Sequence, residues 1–245
     1  MKKVSLIALV LIAVLISGMC LAAKPVLRVG SDTTYPPFEF QDKNGEYVGF
    51  DMEFIRLVGA EMGMDVQIQS VNWDGIIPGL MNGNYDCLIS AMTITAERKK
   101  QIDFSTPYFS IRQAIVVKDT DKIVKGPADL VGKTITVQNG TTGDLYASKI
   151  KDVKMKRFDT NPQAVQELLN NNADAAVMDD LVAFDSVKNS KGLKVVEIKK
   201  IEREDYGIGI KKGNDKLLKQ INKAISALKK NGKLDALVNK YKSAE

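Results

Sequence analysis

The sequence contains no histidine, which excludes imidazole acid–base catalysis and histidine metal ligands. It has only two cysteines, Cys20 and Cys87. Cys20 stands at the end of an N-terminal leader, so once that leader is removed no internal disulfide is available. Cys87 lies in an apolar strand pattern and reads as a small core residue. No Pro/Ser-rich linker divides the chain, and no repeat of solenoid length occurs. No basic stripe interleaved with aromatics points to nucleic acid. The net charge is +5, two units of it from Lys2 and Lys3, and the remaining lysines are scattered as on solvated helix faces.

What is present begins with the leader. Lys2-Lys3, a predominantly apolar run from Val4 to Ile16 and small residues up to Ala22-Ala23 form a secretory signal over 1–23, too short and wrongly flanked for a stable membrane span. Cys20 is also a candidate lipid-anchoring site, although Met19 before it fits the small-residue requirement of such a site poorly. The remaining residues suit one large domain or two lobes, with 44% hydrophobic and 27% charged residues as in a soluble globular protein.

From Val26 onward strands and helices alternate. Strands are expected at Val26–Gly30, Val66–Val71 and Asp86–Ile89 in a first set. A hairpin with a type I′ turn is expected at Asn44-Gly45. Asp51 and Asp74 read as helix caps. A second set has strands at Ala114–Val117, Thr134–Val137, Met155–Phe158, Ala173–Met178 and Val195–Ile198, with Asn161-Pro162 opening a helix. Tyr206–Ile210 and two terminal helices follow, Asn214–Lys230 and Leu234–Tyr241. Each set is a parallel-sheet α/β pattern. Crossings near Tyr108–Arg112 and Glu204–Tyr206 imply two lobes, with 24–112 and 205–245 in the first and 113–204 in the second.

The most informative stretch is Ser90-Ala91-Met92-Thr93-Ile94-Thr95-Ala96-Glu97-Arg98. It reads as a strand end, a turn and a helix capped by Thr95; taken alone, it reads first as an ordinary capped helix with a surface arginine. Ligands of open α/β sheets bind outside the C-terminal strand ends. The residues at those ends are Asp32, Tyr35, Trp73, Ala91, Thr93, Arg98, Gln138, Thr141, Thr142 and Asp179. Arg98 and the Thr142 N–H would clamp a carboxylate, while Asp179, Thr93 and the Ala91 carbonyl would clamp an ammonium. That pair of clamps is what an α-amino acid requires.

The chain resembles the polar amino-acid branch of the extracytoplasmic solute-binding proteins of ABC transporters. The resemblance is carried by Asp32-Thr33-Thr34-Tyr35-Pro36-Pro37-Phe38-Glu39-Phe40, Val48-Gly49-Phe50-Asp51, Trp73-Asp74-Gly75-Ile76-Ile77-Pro78-Gly79-Leu80, Met92-Thr93-Ile94-Thr95 with Glu97-Arg98-Lys99-Lys100, Ile102-Asp103-Phe104-Ser105, Gly140-Thr141-Thr142-Gly143 and Tyr206-Gly207-Ile208. It implies an α/β, two-lobed periplasmic-binding-protein fold of type II. It also implies hinge closure on a free L-amino acid and docking on a membrane permease, with no cofactor. Arg98 and Thr142 would take the ligand carboxylate, and Asp179, Thr93 and Ala91 its ammonium.

The side chain should be read by Asp32, Tyr35, Trp73 and Gln138. Tyr35 and Trp73 could sandwich a flat group, and an apolar ligand would leave Asp32 buried and unpaired. The expected order is arginine, then glutamine, then lysine. Glu39, between two phenylalanines, reads as structural rather than ligand-facing. One rival is an enzyme on the same scaffold, such as a cyclohexadienyl-dehydratase-like protein, although no catalytic pair stands at recognisable spacing. The other is the sensor module of a receptor; a polar helix ending at Glu245 would require a separate signalling partner. A monomer is the default expectation.

Overall fold

The computed structural model describes residues 23–242; residues 1–22 of the signal segment, Cys20 among them, lie outside the described residues. The first half runs β1 (Val26–Ser31), β2 (Thr34–Tyr35), β3 (Glu39–Gln41), β4 (Tyr47–Val48), α1 (Phe50–Glu61), β5 (Asp65–Ser70), α2 (Trp73–Asn82), β6 (Cys87–Leu88), α3 (Ala96–Gln101) and β7 (Ile102–Phe104). The second half runs β8 (Phe109–Ile111), β9 (Gln113–Lys118), a 3-10 turn (Pro127–Leu130), β10 (Thr134–Gln138), α4 (Thr142–Ala147), β11 (Lys154–Phe158), α5 (Asn161–Leu169), β12 (Ala175–Asp179), α6 (Asp180–Asn189) and β13 (Leu193–Glu197). The chain then returns through β14 (Glu204–Tyr206) and β15 (Gly209–Lys211) to α7 (Asp215–Lys230) and α8 (Lys233–Lys242).

Two five-stranded sheets result, ordered β5-β1-β6-β15-β7 and β11-β10-β12-β9-β13. Each holds four strands running one way and one reversed strand, β15 in the first sheet and β9 in the second. The sheets are thus mainly parallel, as the alternation of strands and helices implies. The reversed strands are those reached through the crossings, and a chain that enters a lobe from its partner arrives running the opposite way. Between the sheets β8 pairs antiparallel with β14, Phe109 opposite Tyr206, the two-strand hinge of a two-lobed α/β fold.

Local rules account for most elements. In α7, Leu217, Ile221, Ala224, Ile225 and Leu228 fall on one buried face, and the Asn214 side chain caps the Leu217 N–H. Thr95 accepts from Arg98 N at 3.1 Å, the cap expected of it. Four local readings change. Asp51 lies inside α1 behind Gly49 rather than capping it, and Trp73 rather than Gly75 opens α2 behind Asn72, with Asp74 in its first turn. Thr160 precedes α5, where Asn161 is already helical and Gln163 reaches back to the Thr160 N–H. At the hairpin tip only Gly45 takes a positive φ, and Asp42 accepts from the Asn44 and Glu46 amides. A type I turn closed by an αL glycine thus replaces the type I′ turn.

The hinge is packed with aromatic rings. Phe38, Phe50, Tyr108, Phe109 and Tyr206 lie with centroids 4.8 to 6.2 Å apart, inside a core that continues from one lobe to the other. Gly49 admits this packing. Its φ is +117°, and a Cβ there would lie 2.3 Å from Phe38 O, the carbonyl that accepts from Asp51 N. Gly49→Ala is expected to destabilise the fold by about 2 kcal/mol or more, read as a lower urea midpoint with an unchanged slope.

Candidate functional site

All ten residues drawn from the strand ends line one cavity between the lobes. Asp32, Tyr35, Trp73, Ala91, Thr93 and Arg98 come from the first half, and Gln138, Thr141, Thr142 and Asp179 from the second. The reason is topological: the C-terminal ends of β1, β6, β10 and β12 all face the gap that the hinge spans.

The two sides touch through polar contacts. Gln138 Nε2 donates to Asp32 Oδ2 at 2.9 Å and to Asp159 O at 3.1 Å. Tyr35 OH donates to Asp179 Oδ2 at 2.9 Å, Arg98 donates to Gly140 O at 3.3 Å, and the Thr93 and Thr142 hydroxyls lie 3.3 Å apart. The cavity left between these side chains measures about 20 Å³, room for about one water molecule. An amino acid therefore enters only if the lobes move apart and these contacts open.

Arg98, 9% exposed, is pinned by a bond to Thr93 O at 2.9 Å and by its place over the Trp73 ring, 5.1 Å from the centroid. Burial lowers its pKa to about 10, against the opposing field of Asp179 and Glu204; it remains a cation at neutral pH. Asp179, 5% exposed, accepts from Tyr35, from Gln113 Nε2 at 2.6 Å and from the Tyr206 hydroxyl. Burial raises it to about 6, although those hydrogen bonds favour the charged form. Among the described residues neither group forms an ion pair. One cation and one anion, each buried and each held by uncharged groups, stand on opposite walls of one small cavity.

Other features depart from the sequence reading. The Trp73 ring faces the protein's own Arg98, and the Tyr35 hydroxyl serves Asp179, so the two rings are engaged differently from a sandwich around a ligand side chain. The Thr141 hydroxyl accepts from Asp144 N and donates to Gln138 O, which shapes the loop. Asp144 braces that loop further, accepting from Gly140 N and from Arg157. Ala91 takes φ +43°, and its N–H donates to Asp51 Oδ2 at 2.7 Å.

Two further residues line the cavity: Ser90, and Glu39, whose reading as structural rather than ligand-facing is thereby corrected. Strand alternation was the available signal for Glu39, since it sets this side chain opposite Phe38 and Phe40. Gln113, Glu204 and Tyr206, which surround Asp179, carry no local signal because the hinge brings them there.

The fold and the cavity define a two-lobed binding protein whose site closes between the lobes. A model of the bacterial extracellular solute-binding proteins, family 3, matches residues 27–244, and the chain belongs to that family. It is 36% identical over 221 residues to the L-cystine-binding protein TcyJ of Escherichia coli, covering 89% of this chain and 83% of the relative. Among solved structures, an ancestral arginine-binding protein bound to arginine is 43% identical with a TM-score of 0.85, covering 89% of this chain and 98% of that one. The ancestral amino acid-binding protein AncCDT-1, a precursor of cyclohexadienyl dehydratase, is 40% identical with a TM-score of 0.83, covering 88% and 95%. Among the described residues no helix is long and apolar enough to cross a membrane.

Proposed function

We propose that this chain is the extracytoplasmic substrate-binding component of an ABC amino-acid importer, holding a polar or basic L-amino acid between two closing lobes. The observation that carries the proposal is the pair of buried, unpaired charges Arg98 and Asp179 in one cavity. An α-carboxylate and an α-ammonium complete both at once. Arg98 and the Thr142 N–H take the carboxylate; Asp179, Thr93 and the Ala91 carbonyl take the ammonium. The lobes divide as 24–112 with 205–245, and 113–204. Contacts from both exist only when the lobes are together, so the ligand shifts the population toward closure. The closed protein, a monomer exported by its signal, then docks on a membrane permease. No catalytic step is assigned to the site: its two charges are placed to hold the ends of an amino acid.

Arginine is the first candidate ligand, then glutamine and lysine. Asp32 and Gln138 form the side-chain end of the cavity, and Asp32 is buried without a cation among the described residues. The test is calorimetric titration of the protein, stripped of ligand by unfolding and refolding, against all twenty amino acids. Arginine is expected to bind below about 1 μM. Asp32→Ala is expected to weaken arginine about 30-fold and glutamine by less than about threefold, in keeping with the loss of a charged hydrogen bond of about 2 kcal/mol. Glutamine binding alone would overturn the side-chain assignment, and binding of none of the twenty would overturn the transport reading. Turnover of an amino acid or a prephenate-like acid would favour the enzyme instead.

A further inference from the structure

At the side-chain end of the cavity three carboxyl groups are packed behind one another. Asp32 follows β1, Glu39 begins β3 and Asp51 lies in the first turn of α1. Ser90 and Ala91 tie them together. Ser90 Oγ donates to Glu39 Oε1 at 3.0 Å and accepts from Asp32 N at 2.9 Å. Ala91 N donates to Asp51 Oδ2, which also accepts from Tyr108 OH at 2.9 Å. Glu39 is 1% exposed and Asp51 is fully buried.

One oxygen of each inner group is left over. Glu39 Oε2 and Asp51 Oδ1 are buried without an N–H or O–H donor from any other described residue, and the adjacent residues Ser90 and Ala91 hold the two carboxyl groups in one buried region. Two ionised carboxylates buried together would repel, whereas a shared proton satisfies both oxygens. Among the described residues the acids Asp32, Asp51 and Asp179 and the phenols Tyr35, Tyr108 and Tyr206 act on Glu39, and no ion pair reaches it. The Arg98 charge falls on Asp179 and Glu204 instead. Burial, then the neighbouring acids, pushes Glu39 well above the usual carboxylate range, and burial raises Asp51 to about 7.

We infer that Glu39 and Asp51 share one proton, and that Glu39 is a specificity-determining residue that gives this proton up when a cationic side chain is seated beside Asp32. Glu39 lines the cavity and Asp51 does not, so Glu39 is the group the ligand reaches. The charge balances: the O–H bond of the Glu39 carboxyl breaks, its proton passes to the buffer, and the ligand cation takes the place of that positive charge. A neutral glutamine side chain leaves the proton where it is. Proton release on binding means that arginine affinity rises with pH while glutamine affinity does so less steeply. The inference rests on the amino-acid-binding reading and names the charge class that the site selects.

The test is titration of the purified protein with arginine and with glutamine at pH 7, in phosphate and in Tris, whose heats of ionisation differ. The difference in apparent enthalpy between buffers counts the protons exchanged. Arginine is expected to release about one proton more than glutamine; taking the difference removes what the ligand ammonium does to Asp179 in both cases. In Glu39→Gln the extra release should vanish, with arginine weakened about tenfold or more and glutamine within about threefold. Equal proton exchange for the two ligands would overturn the shared proton and leave amino-acid binding standing. No heat with either ligand would overturn the amino-acid reading itself. If Glu39→Gln does not fold, the two-buffer comparison on the unaltered protein still decides.

Discussion

Arg98→Ala is expected to abolish measurable binding of every amino acid, whatever its side chain, with a loss of about 100-fold or more. The guanidinium fork donates two parallel hydrogen bonds to a carboxylate. Removing one partner of such a buried charged pair costs about 2–5 kcal/mol, at 1.4 kcal/mol for each tenfold. Arg98→Lys keeps the charge but loses the fork and the flat contact with Trp73, so a loss of about tenfold is expected. The unliganded fold should survive both changes. Among the described residues Arg98 pairs with no carboxylate; its guanidinium donates to the Thr93 and Gly140 carbonyls. Removing a buried cation also removes its desolvation cost. Thermal melting separates the two effects. The variant's own midpoint should stay within a few degrees of the parent's, while the rise that saturating ligand gives the parent should be absent. A variant that melts far lower without ligand would show Arg98 to be a structural strut instead.

Asp179→Asn is expected to have an effect of similar size and to change its pH dependence as well. An ammonium needs the carboxylate ionised, and Asp179 is raised to about 6 by burial. Glutamine affinity should therefore be level above about pH 7 and fall towards tenfold per unit below about 6. In Asp179→Asn that limb should vanish, leaving a weak and pH-independent affinity. The fold responds with the opposite sign. The folded-state value lies above the ordinary 3.8, so the folded chain holds the proton more tightly than the unfolded one. The stability this gives is complete below about pH 4 and is lost as pH rises through about 6. Asp51, raised to about 7, adds in the same direction. Unliganded protein should thus melt lower at pH 7 than at pH 5, with ligand narrowing the gap because its ammonium compensates Asp179. A melting point that rises steadily from pH 5 to 7 would show that these carboxyls are not held protonated.

Much of the site was legible because strand ends are legible. Where an apolar run stops at Asp32, Ala91, Gln138 or Asp179, the next residues must turn, and in this topology every such turn faces the cleft. Thr95 was legible as a cap because its hydroxyl serves an amide three residues on, a purely local bond. Asp51 was misread for the same reason. An acid at the start of a helix looks like a cap from sequence, yet its carboxylate answers to Ala91 N, forty residues away. Glu39, Gln113 and Tyr206 belong to this second class: the partners that give them meaning are brought close only when the halves pack.

By itself the sequence determined the order of elements, the return of the terminal helices to the first lobe and the set of side chains offered at the cleft. These follow from period, caps and strand ends, which act over a few residues. Only the tertiary structure decided how those side chains are charged and paired. Arg98 lies on Trp73, Asp179 collects two phenols and an amide, and Glu39 and Asp51 share one buried region because both bond to the Ser90–Ala91 turn. Burial sets the cost of each charge, and burial is a property of the packed chain, not of any stretch of it.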